Sequence, residues 1–187
     1  MKKIKIKTNR HRPFSLIPAF MRNVRLDRSE SQIIGYEFFF DESCEYLLDN
    51  GDQWDWNKLY GWSLGFNHHQ NSVRLVWRYN PIEEVVEVAP YCYIDGKCVL
   101  PTKSQITQIK IGEKVRTSIE VLDNTARVTI ESDITCRYDF EFSDCEKNPL
   151  LGCWFYFGGN RKAPHDITIR YNETDDNIYS LFPFKAY

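Results

Sequence analysis

The chain has 187 residues, 42% of them hydrophobic and 27% charged, with a formal net charge of −2 at neutral pH. That length and mix describe an ordinary globular protein, able to bury a core without a metal or a disulfide. The near-neutral balance argues against a nucleic-acid partner, which calls for a strongly basic face, and no run of about 18 apolar residues offers a membrane-spanning helix.

The N-terminus alternates. Lys3, Lys5 and Lys7 fall on one side of an extended segment over Lys2–Lys7, while Ile4 and Ile6 fall on the other. Lysines on the open side of an edge strand block edge-to-edge aggregation, and this account is preferred to a nucleic-acid arm. The basic start lacks the apolar stretch of a signal peptide, so cytoplasmic synthesis is expected, with later incorporation into a larger assembly left open. Residues 8–31 read as irregular, broken by Pro13 and Pro18, with room for a short helical turn within 16–24.

Strand patterns then follow near 33–40, 44–48, 60–66, 73–79, 84–94, 97–100, 106–111, 115–122, 125–131, 134–142, 151–157 and 166–172. No stretch sustains a helical period over three turns, although 144–149 could form one turn. The sharpest alternation is Ile134-Thr135-Cys136-Arg137-Tyr138-Asp139-Phe140-Glu141-Phe142. One hairpin can be read to its register. Val115–Leu122 and Thr125–Glu131 flank Asp123-Asn124, a pair that tolerates positive φ. This sets Glu120 opposite Arg127 and Arg116 opposite Glu131 on one face, with Ile119 opposite Val128 and Val121 opposite Ala126 on the other. A one-residue slip would ruin both sets.

Short strands with one oily face each, joined by short connections, predict an all-β fold: a two-sheet antiparallel β-sandwich, jelly-roll-like, over 1–187 as a single domain, with a barrel as the alternative. The six cysteines, at 44, 92, 98, 136, 145 and 153, include no C-x-x-C pair and are read as free thiols.

Four places could carry chemistry. His68 and His69 sit at the tip of a hairpin whose second strand presents Arg74 and Arg78 on one face, roughly 13 Å apart by strand rise. Arginine forks bind carboxylates and phosphates, so an anion or acidic-sugar site is one reading; a solvated face with Glu83 and Glu87 as partners is the other. Adjacent strand residues point opposite ways, so His68 and His69 make a poor metal pair. The loop at 49–57 clusters Asp49, Asp52, Asp55, Asn50 and Asn57, hard oxygen donors that could take calcium, although not at EF-hand spacing. Trp54 and Trp56 alternate there and are either sugar-stacking platforms or rings folded onto the core. Lastly, Gly158-Gly159-Asn160 needs unusual backbone angles, and Pro164 precedes His165 and Asp166. Those two side chains suit acid–base work or, for Asp166, the capping of backbone amides in a turn. No serine or cysteine nucleophile pairs with them by spacing.

Three strings occur together: Asn57-Lys58-Leu59-Tyr60-Gly61, Ser72-Val73-Arg74-Leu75-Val76-Trp77, and Tyr156-Phe157-Gly158-Gly159-Asn160-Arg161-Lys162-Ala163-Pro164-His165-Asp166-Ile167. In these the chain resembles uncharacterised bacterial and phage-borne β-sandwich proteins, over its middle and end. The resemblance implies the fold and brings no activity. The Arg-rich and Gln-x-His strands of sandwich-fold alginate lyases are not matched. The expected function is a non-catalytic binding module for carbohydrate, with Trp54, Trp56, His68, His69, Arg74, Arg78, Asn160, His165 and Asp166 as candidate ligand residues. A virion or surface-assembly protein, with a protein partner or a homo-oligomer, is the first alternative; a glycan-active lyase or hydrolase is the second. Fold alone does not decide among them.

Overall fold

A computed structural model describes residues 1–13, 24–26 and 30–174. Among these the chain forms thirteen strands. They are β1 (Lys2–Ile6), β2 (Val24–Arg25), β3 (Gln32–Phe40), β4 (Asn57–Leu64), β5 (Ser72–Asn80), β6 (Val85–Ile94) and β7 (Lys97–Val99), then β8 (Thr107–Lys110), β9 (Lys114–Leu122), β10 (Thr125–Glu131), β11 (Thr135–Glu141), β12 (Leu150–Cys153) and β13 (Ile167–Glu173). Two antiparallel sheets result. The first runs β1-β13-β3-β9-β10-β11; the second runs β2-β12-β4-β5-β6-β7, with β8 also pairing β6. They pack face to face as a sandwich, the predicted fold class.

The alternation dictates the packing. Ile4 and Ile6 are buried while Lys3, Lys5 and Lys7 stay in water, and β1 lies at the edge of its sheet. The β9–β10 register is the one read from the sequence, with Asp123 supplying a φ of 50° in the turn. The charged face differs in detail. Arg116 and Glu131 stand 3.8 Å apart. Arg127 instead grips Asp139 on β11, Nε to Oδ1 at 2.7 Å and Nη2 to Oδ2 at 3.1 Å, while Glu120 accepts a bond from the Ser31 hydroxyl at 2.6 Å. A two-pronged fork is the better geometry for an arginine, so Arg127 takes Asp139, directly opposite on β11, over Glu120 on β9. Phe140 of β11 packs against the core, and Phe142, just past its end, is buried.

Phe38 and Phe40 of the first sheet meet Tyr60, Trp62, Leu75 and Trp77 of the second, all at most 1% exposed. Phe40 and Trp77 have ring centroids 5.5 Å apart, within the range for an aromatic pair. The Tyr60 hydroxyl donates to Thr117 Oγ1 at 3.0 Å, and Thr117 donates on to the Tyr36 carbonyl at 3.0 Å, so a hydrogen-bonded relay joins the sheets. Buried hydroxyls need such partners.

Three expectations are corrected. The strand expected at 44–48 begins as a 3-10 turn over Glu42–Cys44, because the Asp41 carboxylate accepts from the Ser43 amide (3.1 Å) and hydroxyl (2.5 Å) and holds the backbone in a cap. Residues 144–149 turn without forming a helix. The strand at 151–157 stops at Cys153, and Tyr156 returns as an isolated bridge to Lys58. The helical turn allowed within 16–24 falls outside the described residues except at Val24, which begins β2.

Candidate functional site

The second sheet has an outer face that is not plain solvent. In β5, Val73, Leu75 and Trp77 point into the sandwich, so Ser72, Arg74, Val76 and Arg78 point away from it. In β6 the matching outer residues are Glu87, Ala89, Tyr91 and Tyr93. Val76 and Ala89 are nevertheless fully buried. Trp56, Tyr91, Tyr93 and Ile106 cover them as a second, smaller apolar cluster.

Lys58 reaches this face through a bulge. The β4–β5 register shifts between Lys58 and Tyr60, so Leu59 is an extra residue. Tyr60 and Trp62 face the core, and strict alternation would send Lys58 there too. The bulge reverses its side and places it beside Val76. Gly61 does complementary work one pair further on. It lies opposite Arg74, and a Cβ there would meet the Val73 carbonyl oxygen at 2.2 Å and Arg74 Cγ at 2.9 Å. Only glycine allows the backbone of β5 to approach this closely, with Arg74 Cγ in the space beside it.

The floor of the face is therefore cationic. Arg74 stands between Gly61 and Tyr91, and its Nε is buried without a hydrogen-bond partner. Lys58 Nζ donates to the Trp56 carbonyl at 2.7 Å and lies 5.2 Å from the Tyr91 ring centroid. Burial first, and then the Arg74 charge, push the Lys58 ammonium below its ordinary pKa, with Asp55 opposing them. The Cys98 thiol donates to the Tyr91 hydroxyl at 3.0 Å, and burial raises the Tyr91 phenol. Cys153 lies beside Arg74, its thiol pushed up by burial against the pull of that guanidinium. All six cysteines are free.

The walls are aromatic. Tyr91 and Tyr93 have centroids 5.9 Å apart; His69 lies 4.9 Å from Tyr93, and His68 lies 4.2 Å from His69. Across the face, Tyr156 pairs with Lys58 through the backbone. His11 stacks on the Tyr156 ring at 4.8 Å and 9°, and the Arg12 guanidinium lies 5.5 Å from it. Desolvation, with Arg74, His69 and Arg12 adding repulsion, lowers the His68 imidazole to about 4.

The candidate residues thus divide. His68, His69 and Arg74 come together. Trp54, Trp56 and Arg78 form a neighbouring corner, with the Arg78 guanidinium 4.1 Å from the Trp56 ring centroid and 5.2 Å from that of Trp54. Arg78 is held there: its Nε donates to Glu87 at 2.6 Å and its Nη1 to the Trp54 carbonyl at 3.0 Å. Asn80 also donates to Glu87, at 2.8 Å. Asn160 is exposed on a turn fixed to the 49–57 loop, where Asn57 accepts from the Gly158 amide and Asp52 accepts from Arg161 at 2.8 Å. His165 Nε2 lies 2.9 Å from the Ser43 carbonyl oxygen. Asp166 accepts from Lys7 (2.5 Å) and from the Thr8 amide (2.9 Å) at the start of the first sheet's β13. In the 49–57 loop, Asp52 accepts from Arg161, and among the described residues no three His, Cys, Asp or Glu side chains are grouped together.

Lys58, Gly61, Tyr91, Tyr93, Tyr156 and Arg12 were not among the expected site residues. The signal for the tyrosines lies in Val85–Ile94, where Val86, Val88 and Cys92 alternate with Ala89, Tyr91 and Tyr93. A strand apolar on both sides is covered on both.

No protein-family model matches the chain, and no curated protein matches it in sequence. Solved structures do resemble it in fold. An alginate lyase from Klebsiella pneumoniae superposes with a TM-score of 0.52 and 12% identity, over 77% of this chain and 59% of that one. A functionally unknown protein from Saccharomyces cerevisiae gives a TM-score of 0.51 and 10% identity, over 92% and 87%. The CBM2 module of the Lactobacillus casei BL23 phage J-1 evolved Dit gives 0.44 and 6%, over 79% and 62%. This chain spans about three-fifths of the lyase it resembles.

Proposed function

We propose that the outer face of the second sheet binds carbohydrate and that the chain is a non-catalytic binding module. The observation that carries this reading is a half-buried sheet face where aromatic rings frame hydrogen-bond donors. Tyr93 and Tyr91 stand on one side of Arg74 and Lys58, and Trp54 stands at the rim, 38% exposed. Sugars present both an apolar ring face, which stacks on aromatic planes, and hydroxyls, which need directed polar partners. The occurrence of sandwich folds among sugar-related proteins, including the alginate lyase above, is consistent with this use but does not carry it.

A glycan array probed with the full chain tests the reading. Hits are expected, and Tyr93→Ala, whose ring lies at the open side of the cluster, should abolish them while the circular dichroism spectrum stays that of a β protein. An array without hits, or hits indifferent to Tyr93→Ala and Trp54→Ala alike, would contradict it.

A further inference from the structure

We infer that the glycan taken by this face is anionic, and that its carboxylate or sulfate group seats between Arg74 and Lys58. The inference rests on the carbohydrate reading above and narrows it to a ligand class. Three observations lead to it, and none concerns the aromatic rings.

The first is the state of Arg74. A buried donor left unpaired is costly, and native proteins rarely tolerate one without a reason. Arg74 Nε is such a donor, on a residue that carries a full charge, and no carboxylate forms an ion pair with Arg74 among the described residues. The second is company. Lys58 shares the floor, also without an ion pair among the described residues, the Arg74 charge acts on it, and the Arg74 and Arg12 charges both reach His68 and help to keep that ring neutral. Like charges gathered on a half-buried surface repel; an incoming anion turns that repulsion into attraction at several points at once. The third is the preparation of the backbone. The bulge at Leu59 turns Lys58 outward, and the missing side chain at Gly61 clears the space Arg74 occupies. The bulge places one cation on this face, and the glycine accommodates the first atoms of the other.

A planar guanidinium favours an oxyanion with two oxygens in one plane, and the lysine adds a point charge beside it. A uronic-acid carboxylate and a sugar sulfate ester share that chemistry. Both would leave the sugar ring free to lie along the partly exposed Tyr93.

The test measures binding of the full chain to polygalacturonate, dextran sulfate and neutral dextran by biolayer interferometry, with fold checked by circular dichroism. Binding to one or both polyanions and not to neutral dextran is expected, and the preferred polyanion identifies carboxylate or sulfate as the bound group. Arg74→Gln and Lys58→Gln should each weaken that binding by about tenfold or more, the scale of losing a charge-assisted hydrogen bond. Arg127→Gln, which removes an exposed cation paired with Asp139 elsewhere, should leave it unchanged. If Arg74→Gln fails to fold, Lys58→Gln carries the test. Polyanion binding that survives both substitutions would be diffuse attraction and would overturn the inference. Binding to neutral glycans alone, lost in Tyr93→Ala, would overturn the anionic ligand and leave the carbohydrate reading standing. Binding to no glycan would overturn both.

Discussion

Arg74 and Arg78 stand on the same face of β5, with Val76 between them, and the protein treats them in opposite ways. Arg78 has everything a half-buried guanidinium requires: Glu87 directly across on β6, the Trp54 carbonyl, and two indole faces. Arg74 has Gly61 and Tyr91 across from it, a thiol beside it and an orphaned Nε. The Arg78 corner is complete within the chain and so contributes structure. The Arg74 corner is incomplete, and what it lacks among the described residues is negative charge. The contrast teaches that position on a face does not assign a role; the partner opposite does.

Stability measurements give the largest separation of the two corners. Glu87→Gln strips Arg78 of its counter-charge at a site where the arginine side chain is only 16% exposed, and should cost about 3 kcal/mol or more in urea unfolding. Arg74→Gln removes a charge that has no counter-charge among the described residues, and should change stability by less than about 1 kcal/mol, or raise it. Equal losses in the two variants would erase the distinction.

The pH dependence of binding sharpens the comparison further. His68 stays neutral in the free protein until the pH nears 4. An anion beside Arg74 favours the charged ring, so binding takes up a proton and should tighten as pH falls from about 7 to 5. His68→Gln should flatten that slope. The same linkage works in reverse on the free fold. An imidazole harder to protonate when folded favours unfolding as pH drops through its ordinary 6.5 toward about 4, so the ligand-free chain should lose part of its stability in that interval. A free protein equally stable across it would contradict the assignment.

Asp166 offers the smallest effect and a control for a carboxylate that is structurally occupied. Lys7 and the Thr8 amide hold it down to about 2. Its contribution is present above the ordinary carboxylate range and lost as pH falls toward 2. Asp166→Asn should therefore lower the melting temperature slightly at pH 7, with the deficit gone near pH 2, and leave glycan binding unchanged.

The sandwich was legible because its strands obey period two. Ile119, Val121, Ala126 and Val128 could be assigned partners from spacing alone, and Lys3, Lys5 and Lys7 declared an edge. The site was legible only in fragments. Arg74 with His68 and His69 followed from one hairpin, a local fact. Lys58 did not, since a single bulged residue reverses the side on which it stands, and nothing in Lys58-Leu59-Tyr60 announces the bulge. Tyr156 and Arg12 are set together by long-range pairing that connects residues more than a hundred positions apart. His165 and Asp166 look catalytic as neighbours in sequence, yet they hold separate partners, Ser43 for one and Lys7 with Thr8 for the other. Adjacent residues on extended backbone face apart, so adjacency carries little about shared chemistry.

Backbone amide shift mapping of the isotope-labelled chain with an oligogalacturonate tests the central claim most directly. Shifts concentrated at Lys58, Gly61, Arg74, Tyr91, Tyr93 and the His68–His69 loop are predicted, with Arg78 and Glu87 little moved. Shifts centred instead on the β10–β11 face or on His165 and Asp166, or no shifts at all, would contradict it.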